Sequence, residues 1–301
     1  MTRTKTVMNA DPSSALVTVH WLAEHLDDPD LRVLDGSWYL PMQARDPEAE
    51  FLSGHIPGAR RFDIDRISDP DNPLPHMLPG EADFEAAVNE LGIGAADTVV
   101  IYDGIGLFSA PRVWWMFRVF GHDRVHVLAG GLPAWKEHAG KLESGPEAAR
   151  EATSQPPFRA RRRDDLVCLK EDMARMRTDG SLAILDARAP GRFEGREPEL
   201  RPGVRQGHIP GSLNLPYSEI VSADGANFAP TETIAARLRA RNVDMRRPIV
   251  TTCGSGVSAC ILALGLFEMG KPDVAVYDGS WTEWGSDPAL PVKTGPASAK
   301  S

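Results

Sequence analysis

Cysteine is scarce in this chain of 301 residues, and its pattern argues against cross-linking. The number of cysteines is odd, and no CxxC pair occurs among Cys168, Cys253 and Cys260. We therefore expect no disulfide framework and a reducing compartment. One pair among the eight histidines, His122 and His126, has HxxxH spacing, but the run RVHVL that contains His126 predicts a strand and not the helix on which such a pair binds a metal. We therefore expect neither a metal site nor a bound cofactor.

Long apolar runs and a surplus of basic residues are also missing. No run approaches the roughly 20 residues of a membrane helix, and the segment before Leu16 lacks the apolar region of a signal peptide. With 42 acidic and 33 basic residues, the net charge of −9 argues against a nucleic-acid surface. We expect a cytoplasmic protein with neither membrane nor nucleic acid as a partner.

Four motifs of the first half recur in the second half in the same order, at spacings of 149 to 153 residues. GHIPG occurs twice, and each copy is flanked by further matching segments. The paired positions are Asp35 with Asp186, Gly54 with Gly207, Asp103 with Cys253, and Gly130 with Gly279. Four colinear matches indicate one ancestral domain that was duplicated.

Each half alternates short β-branched runs with helical patterns. TVVIY, RVHVL, LAILD, PIVTT and VAVY predict buried strands of a parallel sheet, while residues 81–93 and 231–243 predict helices. This alternation predicts an α/β fold with two tandem domains, each a mostly parallel sheet flanked by helices. We place the domains at 15–142 and 159–293, joined by a linker at 143–158 that is rich in Pro, Ser, Ala and Glu.

Cys253 follows the predicted strand PIVTT directly and precedes a predicted helix, so GSGV is the tight turn between them. Ligands bind at this edge of an open α/β sheet. Exposed backbone N–H groups and the helix N-terminus favour an anion there, so we expect Cys253 to have a lowered pKa and to be a nucleophile. The alternative, a buried core cysteine, does not explain the glycines. Cys260 is expected in the core, and Cys168 has no chemical context.

The repeat, the GHIPG turns, the loop CGSGVSA and the motif DGSW (Asp278 to Trp281) resemble the two-domain rhodanese-type sulfurtransferases, from about Leu16 to about Val292. Within that family the resemblance is strongest to the 3-mercaptopyruvate sulfurtransferases. It implies that only the second domain carries the nucleophile, and Asp103 agrees with this because it occupies the corresponding position of the first.

The resemblance also implies a reaction and its partners. Cys253 would take sulfane sulfur from 3-mercaptopyruvate as a persulfide, release pyruvate and pass the sulfur to a thiol acceptor. Thioredoxin-like dithiols are the acceptors expected from the family, and cyanide is the usual laboratory acceptor. The donor is thus a small molecule.

The donor would be bound by two arginines and by the cysteine loop. The resemblance assigns Arg192 and Arg201 to the donor's carboxylate and ketone, a task that suits a planar guanidinium. Solvated loop arginines are the alternative. The backbone amides that would stabilise the thiolate and persulfide are those of Gly254, Ser255, Gly256, Val257 and Ser258. Ser258 departs from the usual threonine but retains the hydroxyl.

The resemblance further suggests a proton relay of Ser255 with His76 and Asp65, both from the first domain. For His76, a structural role in its Pro-rich loop is the rival interpretation. His55 and His208 recur in both GHIPG turns, including the half without a nucleophile, so we expect them to be structural.

Three other functions remain to be weighed. A thiosulfate:cyanide sulfurtransferase differs only in donor, although the neutral Gly254 and Ser255 offer no charge for a dianion. A cysteine phosphatase requires an arginine six positions after the cysteine, where this chain has Ala259. A non-catalytic sulfur carrier or binding module would not need Cys253, Ser255 and both arginines together.

Overall fold

The structure is a computed structural model that describes residues 14–147, 155–179 and 182–297. The middle of the predicted linker, 148–154, lies outside the described residues, as do residues 1–13, to which the expectation of no signal peptide applies. The division at 15–142 and 159–293 stays a prediction. Within the three described ranges, no helix is long and apolar enough to cross a membrane.

The first half contains a five-stranded sheet in which every pairing is parallel, in the order β1-β5-β4-β2-β3. Its strands are β1 (Leu16–Val17), β2 (Leu31–Asp35), β3 (Arg60–Arg61), β4 (Thr98–Tyr102) and β5 (Val125–Leu128). Its helices are α1 (Val19–His25), α2 (Pro47–Ser53), α3 (Glu81–Glu90), α4 (Ala110–Val119) and α5 (Gly131–His138).

The second half repeats this arrangement in the order β6-β10-β9-β7-β8, again with parallel pairings throughout. Its strands are β6 (Val167–Cys168), β7 (Ala183–Asp186), β8 (Leu213–Asn214), β9 (Ile249–Thr252) and β10 (Ala275–Tyr277). Its helices are α6 (Lys170–Asp179), α7 (Pro190–Phe193), α8 (Thr231–Ala240), α9 (Val257–Glu268) and α10 (Ser280–Ser286). Short 3-10 helices cover Pro41–Gln43, Asp164–Leu166 and Tyr217–Glu219. The predicted α/β fold with two parallel sheets is confirmed.

The predicted elements are confirmed with small shifts at their ends. Strands β5, β7, β9 and β10 each begin one residue later than predicted. Helices α3 and α8 end three residues earlier than predicted, and each is followed two positions later by a residue with left-handed backbone, Gly92 (φ 67°) and Asn242 (φ 54°). Such residues end a helix because they turn the chain out of the right-handed path.

Helices α4 and α9 join the two halves. Nine of the ten residues of α4 are buried, and α9 is apolar on nearly every face, as expected for a helix enclosed by protein. Both belong to one hydrophobic core that also contains Val99 of the first sheet and Ile249 of the second. Each helix begins directly after the loop that follows the central strand of its half, so the shared core fixes the two loops relative to each other.

Candidate active site

Cys253 lies directly after β9, and Gly254, Ser255 and Gly256 form the turn into α9. Val257, which we predicted in the turn, is the first residue of the helix. Gly256 has φ 78°, a left-handed conformation that favours glycine. We call residues 253–260 the cysteine loop. Its placement at the carboxyl end of a central strand is as the sequence predicted.

The DGSW motif binds the outer side of the cysteine loop. The Cys253 N–H donates to Ser280 Oγ at 3.2 Å, and the Cys253 carbonyl accepts from the Trp281 N–H. Thr282 donates to the Gly254 carbonyl with both its N–H and its hydroxyl, the latter at 2.6 Å. Residues 280–282 therefore fix the carbonyl groups of Cys253 and Gly254 through hydrogen bonds.

The corresponding loop of the first half, residues 103–110, also follows the central strand of its sheet; we call it the aspartate loop. The side-chain oxygens of Asp103 accept five backbone N–H bonds, all between 2.7 and 2.9 Å. The donors are Ile105, Gly106, Phe108, Ser109 and Ala110. A strand-to-helix loop of this fold thus directs several amides at one acidic side chain.

Arg192 and Arg201 both lie beside the cysteine loop. A Cβ atom placed on Gly254 would be 3.2 Å from Arg192 Nη2. Burial lowers the pKa of Arg201, while the Cys253 thiol group acts in the opposite direction and Arg192 adds to the lowering. Arg201 thus lies within electrostatic reach of Cys253 and Arg192, and its role in binding stays a prediction.

The two arginines differ in their bonding. Arg192 donates from Nε and Nη2 to the buried Glu199 Oε2, at 3.1 and 2.5 Å. Arg201 makes no hydrogen bond or ion pair with any other residue in the described ranges. Cys253, Asp65 and Glu199 attract its charge without touching it. The hydrogen-bond donors of Arg201 are therefore available to a ligand or to water.

His76 and Asp65 form a pair within the first half. His76 Nδ1 lies 2.8 Å from Asp65 Oδ1, and Trp38 Nε1 donates to Asp65 Oδ2 at 3.0 Å. The pKa of Asp65 is lowered from its usual range, chiefly by the adjacent His76 imidazole. His76 and Ser255 are both buried. The structure thus brings two of the three predicted relay residues together, and the link from Ser255 to His76 stays a prediction.

A comparison with protein families identifies the fold family. The rhodanese-like domain matches this chain twice, over residues 18–138 and 169–287. The chain belongs to the rhodanese family.

Individual relatives of this rhodanese-family protein are similar over almost the whole chain. Human 3-mercaptopyruvate sulfurtransferase is 47% identical, with 90% of this chain and 91% of the human protein covered. Bovine thiosulfate sulfurtransferase is 43% identical with the same coverage. The crystal structure of SseA from Escherichia coli, a 3-mercaptopyruvate sulfotransferase with the rhodanese fold, superposes with a TM-score of 0.79 at 39% identity, covering 89% of this chain and 99% of SseA. The protein is accordingly a sulfurtransferase, which uses a small-molecule sulfur donor and a thiol acceptor.

The remaining cysteines of this rhodanese-family enzyme are buried away from the loop's turn. Burial raises the pKa of Cys168 to about 12, and it raises the pKa of Cys260 as well. Cys260 Sγ donates to the Gly256 carbonyl at 3.1 Å, so it packs under the cysteine loop from inside α9. The prediction that Cys260 is a core residue is confirmed.

His55 and His208 have matching environments in the two rhodanese domains. His55 Nδ1 is 2.9 Å from the Phe51 carbonyl and its ring stacks on Phe51, while His208 Nδ1 is 2.8 Å from the Phe193 carbonyl and stacks on Phe193. Their predicted structural role is confirmed. Over the described ranges, no cluster of three or more His, Cys, Asp or Glu side chains is arranged to hold a metal ion.

Sequence reasoning missed two buried ionic groups around the cysteine loop. Glu199 bridges Arg192 to Arg188, whose Nη1 lies 2.7 Å from Glu199 Oε1. Arg112 of α4 pairs with Asp278 of the DGSW motif across the two halves. A signal for Arg112 was present, because a single charged residue amid the apolar sequence APRVWWMF requires a buried partner.

Proposed function

We propose that this enzyme transfers sulfur from 3-mercaptopyruvate through a persulfide on Cys253 to a thiol acceptor and releases pyruvate. Sequence identity does not choose the donor, since relatives named for either donor match at similar identity. The observation that carries the proposal is the unpaired guanidinium of Arg201, next to Arg192 and to a cysteine loop with no basic side chain at its turn. This arrangement suits an organic carboxylate.

The donor carboxylate would bind chiefly to Arg201. Its planar guanidinium can donate two parallel hydrogen bonds to a carboxylate. Arg192 has Nε and Nη2 engaged by Glu199, whereas Nη1 takes no part in those bonds and is available to the ketone or to a carboxylate oxygen. The donor would then lie with its sulfur toward Cys253, because Arg192 borders Gly254.

The chemistry requires only the two reactants of each half-reaction. The Cys253 thiolate attacks the sulfur of 3-mercaptopyruvate, and the electrons of the broken C–S bond remain on the carbon as the enolate of pyruvate. The donor thiol loses one proton and the enolate takes up one proton to become pyruvate, so the number of protons does not change. In the second half-reaction, an acceptor thiolate attacks the outer sulfur and restores the Cys253 thiolate.

The persulfide would be stabilised by the backbone of the cysteine loop. The aspartate loop supports this, because its amides surround an acidic side chain at the position that corresponds to Cys253. The donors would be the predicted amides of Gly254 to Ser258, because α9 begins at Val257 and the first N–H groups of a helix have no partner within it. Such preorganised donors stabilise the developing anion without reorganisation.

Ser255, His76 and Asp65 would transfer the protons. His76 is the only relay member that combines burial with an acid partner at 2.8 Å, which orients its ring. Thioredoxin-like dithiols are the proposed physiological acceptors and the cytoplasm is the proposed location. Turnover with reduced thioredoxin and subcellular fractionation would test these two points.

Intact-protein mass after brief incubation with each donor tests the function directly. The wild-type enzyme should gain one sulfur, faster from 3-mercaptopyruvate than from thiosulfate, and Cys253→Ser should gain none. A faster gain from thiosulfate would assign the enzyme to the other donor. No gain from either donor, with correct folding, would refute the proposal and favour a non-catalytic binding module.

A further inference from the structure

Arg112 is a fully buried arginine in the first turn of α4. Its Nη1 lies 2.8 Å from Asp278 Oδ1, and the two side chains are 0% and 3% exposed. The guanidinium also stacks over the Trp115 ring, 4.5 Å from its centroid. Apolar side chains of similar volume are often as stabilising as a buried ion pair, so stability alone does not account for this one.

The Arg112–Asp278 pair forms hydrogen bonds with the backbone of the first domain at residues 76–78. Arg112 Nη2 donates to the His76 carbonyl, and the Leu78 N–H donates to Asp278 Oδ2 at 2.8 Å. His76 itself has φ 61°, a left-handed conformation that costs a non-glycine residue about 1 kcal/mol or more. Contacts at the His76 carbonyl and at the Leu78 N–H therefore support a backbone conformation that is otherwise unfavourable for His76.

On its other side the pair touches the cysteine loop. A Cβ atom on Gly256 would lie 2.8 Å from Arg112 Nη1 and 3.0 Å from the Asp278 carbonyl oxygen. The ion pair thus lies between the His76 segment of the first domain and the turn after Cys253, and contacts both.

We infer that Arg112 and Asp278 are positioning residues that set the His76 imidazole against the cysteine loop and so deliver the first domain's proton-transfer group to the second domain. This inference rests on the proposed function, in which His76 moves protons. On this inference, the first domain, which has no nucleophile, supplies the proton-transfer group, and the buried Arg112–Asp278 pair positions that group.

The test removes both charges together, so that no unpaired charge is left buried. In Arg112→Met combined with Asp278→Asn, the kcat for 3-mercaptopyruvate should fall about 10²-fold, the lower end of what a positioned acid or base contributes, while KM stays within about threefold. His76→Ala should cause a similar loss. Adding the pair of substitutions to His76→Ala should cost less than about threefold more, because groups that act as a unit are not additive.

Two further variants separate positioning from packing and from charge. Arg118→Met changes an arginine of the same helix that donates to the Pro272 carbonyl at 3.2 Å and stacks on Phe267, and its kcat should equal that of wild type. Arg112→Lys keeps the charge, but one ammonium group does not replace a fork that reaches Asp278 and the His76 carbonyl together. Its kcat should therefore remain lowered. Arg112→Lys also serves as the test if the paired variant does not fold.

Thermal unfolding and persulfide mass accompany the kinetics. A folded variant of the ion pair with kcat within threefold of wild type would overturn the inference, as would losses that multiply with His76→Ala. Failure of the proposed function is a different result, because the wild type itself would then gain no sulfur on Cys253 from 3-mercaptopyruvate.

Discussion

The aspartate loop and the cysteine loop hold corresponding places in the two domains but differ in length and content, because α9 begins three positions earlier in the repeat than α4 does. Both follow the central strand of a five-stranded parallel sheet and lead into one of the two helices that join the domains. In the first, Asp103 supplies its own acidic side chain to five amides. In the second, the corresponding residue is a cysteine. The first loop thus resembles the second with an anion already bound.

The two loops also differ in what covers them. A segment of the second domain closes the aspartate loop with its backbone: the Gly130 N–H donates to the Ala226 carbonyl at 3.0 Å, and a Cβ atom on Gly106 would be 2.7 Å from Ala226 Cα. The cysteine loop is bordered instead by side chains, among them Arg192 and the unpaired Arg201. In the proposed function, the loop amides supply an anion site, Cys253 supplies the nucleophile, and Arg192 and Arg201 bind the donor carboxylate.

The largest effect should come from making the cysteine loop resemble the aspartate loop. Cys253→Asp removes the nucleophile and offers a carboxylate to the same amides, so turnover should fall by at least about 10⁴-fold. Steady-state pyruvate release measures this. Cys253→Ser is the matched control, because it also abolishes turnover but brings no carboxylate to the loop.

The unfolding behaviour of these two variants checks the likeness of the loops. If the loops are alike, Cys253→Asp should be at least as stable as Cys253→Ser in urea, since the new acceptor replaces the anion that the amides favour. A Cys253→Asp variant clearly less stable than Cys253→Ser would show that the cysteine loop does not accept a carboxylate as the aspartate loop does.

The second largest effect should be a loss of folding stability from a substitution in the aspartate loop. Asp103→Asn leaves one acceptor oxygen for five donors, so at least two buried N–H groups lose their partners and the free energy of unfolding should fall by about 3 kcal/mol. That corresponds to a decrease of roughly 6 to 12 °C in Tm. Asp46→Asn is the control, because Asp46 caps α2 through Oδ1 alone and asparagine retains that acceptor. Equal Tm changes in the two variants would contradict the assignment.

The third largest effect should be on donor binding by Arg192 and Arg201, which lie beside the cysteine loop and not beside the aspartate loop. Arg201→Ala should raise the KM for 3-mercaptopyruvate about 10- to 100-fold, the worth of a bidentate charge-assisted bond, and Arg192→Ala should raise it less because Arg192 is already shared with Glu199. Initial rates over a range of donor concentrations measure both. Unchanged mercaptopyruvate kinetics in both variants would show that the carboxylate binds elsewhere.

Local sequence was sufficient to predict the two loops. The strand PIVTT, the glycines after Cys253 and the apolar helix that follows specify a strand-turn-helix unit through short-range pattern alone. The repeat then supplied the second copy, and the spacing of 150 residues placed Asp103 where the structure has it. The proximity of Arg192 and Arg201 to Cys253, and that of His76 to Asp65, came from the family resemblance and not from pattern.

The contacts between the domains were not predictable in the same way. Arg112 and Asp278 are 166 positions apart, and Ala226 meets Gly106 only because α4 packs against α9. No periodicity within either segment encodes that packing. Glu199 was also missed, since its position in PELRPG reads as a solvated loop and its burial depends on Arg188, which is itself buried against Asp186.

The smallest expected effect is an attempt to give the first domain a nucleophile. Asp103→Cys in the Cys253→Ser background places a thiol at the corresponding position, and we expect no pyruvate release and no gain of sulfur in the intact mass. The Ala226 backbone lies against Gly106 and Gly130 and so covers the aspartate loop against a donor. The loop's amides alone do not bring a substrate to the thiol.

Uncovering the aspartate loop should not be sufficient either. Deleting residues 224–226 in the same variant exposes the aspartate loop, but Arg192 and Arg201 remain at the other loop, so reaction with a small neutral alkylating agent should rise while transfer from 3-mercaptopyruvate stays undetectable. Cys168, whose pKa is raised to about 12 by burial, provides the internal reference for unreactive thiols. Sulfur transfer to the first domain would show that the anion site and a thiol are enough, and that the arginines serve affinity alone.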